Sequence, residues 1–139
     1  MYGTWAVLQA GLLTVALLSC PHAAAGQSRT IDITADKNSR YKIAGQDPPA
    51  IRAHAGEHLL LRITANRGKT WNRDGSIHGF TLLLAKDRSK VEGWNLLLHS
   101  GLNEFQVVAP SEPGEYVVVC TVICSDDHEG MNMKFAVVP

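Results

Sequence analysis

Pro113-Gly-Glu-Tyr-Val-Val-Val-Cys120-Thr-Val-Ile-Cys124-Ser-Asp-Asp-His128-Glu-Gly-Met131-Asn-Met-Lys-Phe-Ala-Val-Val138 sets two strand-like runs either side of a loop rich in sulfur and imidazole. The first run, Tyr116 to Val119, is an aromatic residue followed by β-branched ones and is opened by a Pro-Gly turn signal. Phe135 to Val138 is the second. Between them the spacing is C-x3-C-x3-H-x2-M. Two thiols, an imidazole and a thioether so close together make a soft donor set, which favours copper with zinc as the lesser competitor. The thioether weighs against zinc, whose structural sites use Cys and His and sometimes carboxylate.

Upstream, the same kind of short run recurs. Ile31-Asp32-Ile33, Leu59 to Ile63, Phe80 to Leu84 and Phe105 to Val108 are apolar or alternating, and Pro48-Pro49, Arg67-Gly68, Asp74-Gly75 and Pro113-Gly114 punctuate them. No long segment repeats at the helical period, although Val91 to His99 has room for a short turn of helix. Residues 29–139 are therefore expected to form one all-β domain, a two-sheet sandwich.

Composition narrows the function. The 139 residues carry 13 Lys plus Arg against 13 Asp plus Glu, and this balance argues against a nucleic-acid binder, which shows a basic excess. Hydrophobic residues at 45% and charged ones at 19% exclude wholesale disorder. Three cysteines are too few for a disulfide-dense scaffold. Charge is absent before Arg29, and Trp5 to Leu18 is an apolar run broken by Gln9, Gly11 and Thr14. At about 14 residues it is short of the roughly 20 that span a bilayer. Ala23-Ala24-Ala25-Gly26 follows, of the small-residue kind that signal peptidase cleaves, so residues 1–25 read as an export signal lacking the usual basic start. Leu17-Leu18-Ser19-Cys20 also resembles a lipoprotein processing site, which would make the membrane attachment a lipid on Cys20; a retained N-terminal anchor is the third reading. All three place the domain outside the cytoplasm, in the periplasm or on an extracytoplasmic membrane surface.

The cysteine loop resembles the binuclear copper A (CuA) motif of cytochrome c oxidase subunit II and of nitrous oxide reductase. Ser76-Ile77-His78-Gly79-Phe80 supplies the upstream His that the family needs, about 40 residues before the loop, and the Pro113-Gly114 lead-in is similar as well. The likeness spans roughly residues 74 to 138. It implies a cupredoxin-like Greek-key β-sandwich holding two copper ions. By resemblance, Cys120 and Cys124 bridge both coppers as thiolates. His78 and Met131 complete one, and His128 with the main-chain carbonyl of Val122 completes the other. Many oxidase members carry Glu at the Val122 position, so the oxidase type of partner geometry does not transfer with the motif. The function implied is electron transfer with a redox protein such as a cytochrome c or a terminal oxidase or reductase. No nucleophile with a positioned base is apparent, so catalysis by the isolated chain is not expected.

Plainer accounts stand beside these. A Cys120–Cys124 disulfide is normal in an exported protein. His78, one Cys, His128 and Met131 also match the donor set of a mononuclear blue-copper carrier, and thiolate with thioether suits a protein that binds and delivers Cu(I). Met133 is a near neighbour of Met131 suited to packing. His54, His58 and His99 read as surface polar residues, and Trp94 as core or sheet-edge packing. Asp126, Asp127 and Glu129 give the loop negative charge and read as a solvated loop, with a docking patch for a basic electron carrier such as a cytochrome c as the alternative. Arg67, Lys69 and Arg73 around Trp71 read as an ordinary basic loop.

Overall fold

Alternation of apolar and polar residues at period two turns one side of each strand inward, and pairing those sides builds the domain. The computed structural model describes residues 26–69 and 72–139. The residues 1–25 assigned to the export signal, Cys20 among them, and Trp71 lie outside the described residues. The strands are β1 (Arg29–Ala35), β2 (Tyr41–Lys42), β3 (Ala50–His54), β4 (His58–Ala65), β5 (His78–Leu84), β6 (Lys90–Leu98), β7 (Gly101–Val108), β8 (Gly114–Val119) and β9 (Asn132–Val138). They form a four-stranded sheet in the order β2-β1-β4-β7 and a five-stranded sheet in the order β3-β9-β8-β5-β6. β1 runs parallel to β4 and β3 parallel to β9, and the other pairings are antiparallel.

One core lies between the sheets. Ile31, Ile33, Leu59, Leu61 and Ile63 enter it from the first sheet, and Phe80, Leu82, Val118, Phe135 and Val137 from the second. Phe135 sits between two aromatic neighbours, with ring centroids 5.3 Å from Trp94 and 6.5 Å from Tyr116, both edge-on. Trp94 is core, as its sequence context suggests, and its indole N–H donates to Val108 O at 2.9 Å, tying β6 to β7.

The segment from Val91 to His99 is not helical: all but its last residue belong to β6. Register explains the misleading spacing. Thr81 pairs with Asn95, but Leu83 pairs with Lys90, so β6 carries extra residues there, and Gly93 takes φ +78 within them. A bulge of this kind interrupts the alternation and leaves apolar residues spaced as on a helix. The strands β2 and β3 go beyond the runs picked out in the sequence. β3 alternates cleanly, with Ile51 and Ala53 inward.

Between β1 and β2 the chain turns on Asp36. Its carboxylate accepts the N–H groups of Asn38 (2.9 Å) and Arg40 (3.0 Å), and Lys42 Nζ lies 2.6 Å from its other oxygen. Burial pulls the Asp36 pKa upward, but the Lys42 ammonium and the two N–H donors outweigh it and hold the pKa below its ordinary value. A carboxylate depressed in this way adds stability above its unfolded pKa and loses it as the pH falls through the folded value. Asp36→Asn is therefore expected to be less stable than the parent at neutral pH by about 1 kcal/mol. The gap should begin to narrow below about pH 4, the ordinary carboxylate range, and close only below the depressed folded pKa, where the parent carboxyl is neutral too. Urea unfolding at several pH values checks this; a gap independent of pH would refute it.

Candidate metal centre

The N-terminal end of β5 and the C-terminal end of β8 lie side by side, as the pairing of Thr81 with Val119 requires. That register delivers His78, the first residue of β5, next to Cys120, the first residue after β8. The loop that leaves β8 returns through a 3-10 turn at His128–Gly130 and is closed at its base by Cys120 N–H donating to Met131 O at 3.2 Å. Cys120 and Met131 are thus pinched together, and the loop between them covers the end of the sandwich.

Within it, one ligand atom each from His78, Cys120 and Cys124 all lie within 4.8 Å of one another, and all three residues are buried. The two sulfurs are 3.4 Å apart. Met131 Sδ is 3.9 Å from Cys124 Sγ, and Val122 O is 3.0 Å from Cys120 Sγ. Met131 is fully buried, and Met133 packs into the core. His128 is half-buried at the rim, its Nδ1 3.1 Å from Ser125 O, and it is not in the close group of three. The structure thus brings His78, Cys120, Cys124, Met131 and the Val122 carbonyl together, and leaves the His128 ring turned to the backbone of its own loop.

His78 carries the clearest sign of a site built for a ligand. Its Nε2 lies 2.9 Å from Asn66 O, a contact in which the ring N–H donates, so Nδ1 is left with the lone pair. That Nδ1 is buried and has no hydrogen-bond partner of proper geometry. Buried polar atoms are nearly always satisfied, and an orphan facing two thiols is what a metal position requires. Burial lowers the His78 pKa, but the neighbouring Cys124 sulfur and Asn66 O outweigh it and raise it.

The two thiols influence each other across the 3.4 Å between their sulfurs. The hydrogen bond to Cys124, with burial, drives the Cys120 pKa far up. Cys124 is driven well down, first by the bond from Cys120 and then, against burial, by His78 and Ser39. A cysteine beside an imidazole is also the pairing of a cysteine nucleophile, but Cys124 is only 1% exposed. Neither Cys is in a disulfide.

Several groups around the centre carry no motif. Gly79 N–H donates to Cys120 Sγ at 3.3 Å, and Tyr41 Oη–H donates to Gly79 O. Ser39 Oγ lies 3.5 Å from Cys124 Sγ and 2.5 Å from Ser125 Oγ. Of the other histidines, His54 bonds Pro139 O and His99 faces Asp74 O, and neither joins a metal-type group among the described residues.

Two sheets in this order, with a ligand loop between the last two strands, define the cupredoxin fold, and solved structures agree. Auracyanin A, a blue copper protein from Chloroflexus aurantiacus, superposes with a TM-score of 0.58 at 17% identity over 81% of this chain and 100% of its own. Auracyanin B gives 0.52 at 17% identity, covering 81% and 90%. A chain of a heme-copper terminal oxidase dimer gives 0.52 at 15% identity, covering 83% and 68%. No family model matches the chain, and no curated protein matches it.

Proposed function

We propose that this chain is an exported electron-transfer domain with a binuclear, CuA-type copper centre. The observation that carries the reading is the pair of buried sulfurs 3.4 Å apart beside the orphaned His78 Nδ1. The fit to copper rests on the donors: two thiols, an imidazole and a thioether suit copper, and the thioether has no use in a structural zinc site. A mononuclear blue site needs one thiolate and leaves the second buried sulfur without a role.

Cys120 and Cys124 would each serve both metals, His78 and Met131 would complete one, and His128 with Val122 O the other. Bound copper supplies one-electron redox chemistry. The chain contributes rigidity: β5 and β8 fix His78 and Cys120, the Cys120–Met131 hydrogen bond closes the loop, and burial excludes water from the sulfurs. To join the group His128 would have to give up Ser125 O. Asp126, Asp127 and Glu129 are exposed around it, with Lys37 and Lys69 lining the same hollow as the two aspartates, and the acids would meet a basic redox partner such as a cytochrome c, or a terminal oxidase or reductase.

Copper-loaded residue 26–139 protein tests the reading by metal analysis with optical and electron paramagnetic resonance spectra. Two coppers per chain and a signal delocalised over both nuclei are expected. One copper with a single intense blue band would replace the reading with a mononuclear carrier. Colourless, readily exchanged Cu(I) would replace it with copper delivery.

A further inference from the structure

Ser39 is fully buried, has φ +58, and belongs to the turn between β1 and β2, far from the metal loop in sequence. A left-handed conformation is uncommon for a non-glycine residue and persists where the surroundings enforce it. Here they do. Asp36 caps the turn through Asn38 and Arg40, Ser39 N–H donates to Asp36 O at 3.1 Å, and Arg40 Nη1 donates to Ser39 O at 2.8 Å. The turn aims the hydroxyl at the metal loop.

Both side-chain contacts of Ser39 can run in either direction, and a deprotonated Cys124 would fix one of them. Asp127 N–H donates to Ser125 Oγ at 3.2 Å. Ser125 and Ser39 are bonded at 2.5 Å, and Ser39 lies 3.5 Å from Cys124 Sγ. A cysteine that ligates metal is deprotonated and only accepts. Where the Ser39–Cys124 contact is a hydrogen bond to a thiolate, Ser39 O–H is the donor, and Ser125 O–H then donates to Ser39. In that arrangement the donors run one way, from the loop backbone through two hydroxyls to Cys124.

We propose that Ser39 is a positioning residue for the metal centre, whose hydroxyl donates to the Cys124 thiolate and raises the centre's reduction potential. The inference rests on the copper reading above. A hydrogen bond to a ligand sulfur draws charge away from the metal and favours its reduced form. The two sulfurs are served from different places: Cys120 by the backbone of Gly79 on β5, Cys124 by a side chain from the turn between two strands of the opposite sheet.

Ser39→Ala and Ser39→Gly both remove the hydroxyl, and glycine tolerates φ +58 without strain, so the second variant remains informative if the first does not fold. Both are expected to keep two coppers and to raise the oxidised-to-reduced ratio at fixed ambient potential about tenfold, a fall of about 59 mV for one electron. The thiolate-to-copper absorption should shift in both. A potential equal to the parent's in both variants overturns the proposal, whatever their stability. In metal-free protein, Ser39→Gly, Cys124→Ala and the double variant form a cycle read by urea unfolding. A coupling of about three- to tenfold in the unfolding constant is expected, and no coupling overturns the hydrogen bond. A parent that takes up no copper overturns the function and the tuning role with it, and the metal-free cycle then tells that failure apart from the absence of the bond.

Discussion

Cys120→Ser and Cys124→Ser should each abolish the two-copper centre. The expectation comes from the placement of both sulfurs in one buried pocket, 3.4 Å apart, with no other thiol among the described residues to replace either. A serine hydroxyl in either place keeps the shape but not the soft, anionic donor. Its proton is not lost near neutral pH, and its oxygen is a poor partner for copper beside thiolate and thioether. In Cys124→Ser the new hydroxyl would bond to the Ser39–Ser125 pair, whereas in Cys120→Ser it would donate to Val122 O, so both variants should stay folded. Metal analysis and paramagnetic resonance of the two loaded proteins decide the matter. A binuclear site loses its delocalised signal in both. If one variant retains the parent's copper content and spectrum, the replaced residue is not a bridge, and the site is mononuclear on the other.

The second large effect is expected at a glycine. A Cβ on Gly79 would stand 3.0 Å from Thr121 N, 3.1 Å from Thr121 Oγ1 and 3.3 Å from Val122 Cγ2. The first of these is backbone between the two candidate ligands Cys120 and Val122, and backbone cannot swing aside as a flexible side-chain end can. Gly79→Val must therefore push the start of the metal loop away from β5, stretching the Gly79–Cys120 hydrogen bond and the Tyr41 contact that hold it. Overpacking of this kind costs about 1–3 kcal/mol, and copper retention should fall steeply because the Cys120 sulfur moves relative to His78. Gly130, in the same loop, is the control: a Cβ there meets only the end of the Arg40 side chain at 3.9 Å. Gly130→Ala should be within about 0.5 kcal/mol of the parent and load normally. Thermal unfolding and copper titration of the two variants measure both effects. Equal behaviour would refute the crowding at Gly79.

The centre was readable to the extent that its parts are local. Cys120, Val122, Cys124, His128 and Met131 fall within one short loop, so their spacing is a property of the chain itself. His78 needed the family likeness, since nothing about an isolated histidine at a strand start marks it as a ligand. The bulge in β6 was invisible because the pattern of apolar residues around Gly93 is the same whether a strand slips or a helix turns. Ser39 had no signal at all: its bond to Cys124 crosses 85 positions and depends on a left-handed turn in a residue type that rarely makes one.

From the sequence alone come the strand-rich chemistry of residues 29–139, the donor types and their order along the loop, because side-chain chemistry and short-range periodicity are written residue by residue. The tertiary structure decided which strands are neighbours, and so that His78 meets two thiols, that its Nδ1 is the orphaned nitrogen, that Ser39 faces Cys124, and that His128 waits at the rim. Those relations arise only when two sheets close on a common core. Burial then removes the water that would otherwise satisfy each polar group, and an unsatisfied atom such as His78 Nδ1 becomes a candidate ligand position.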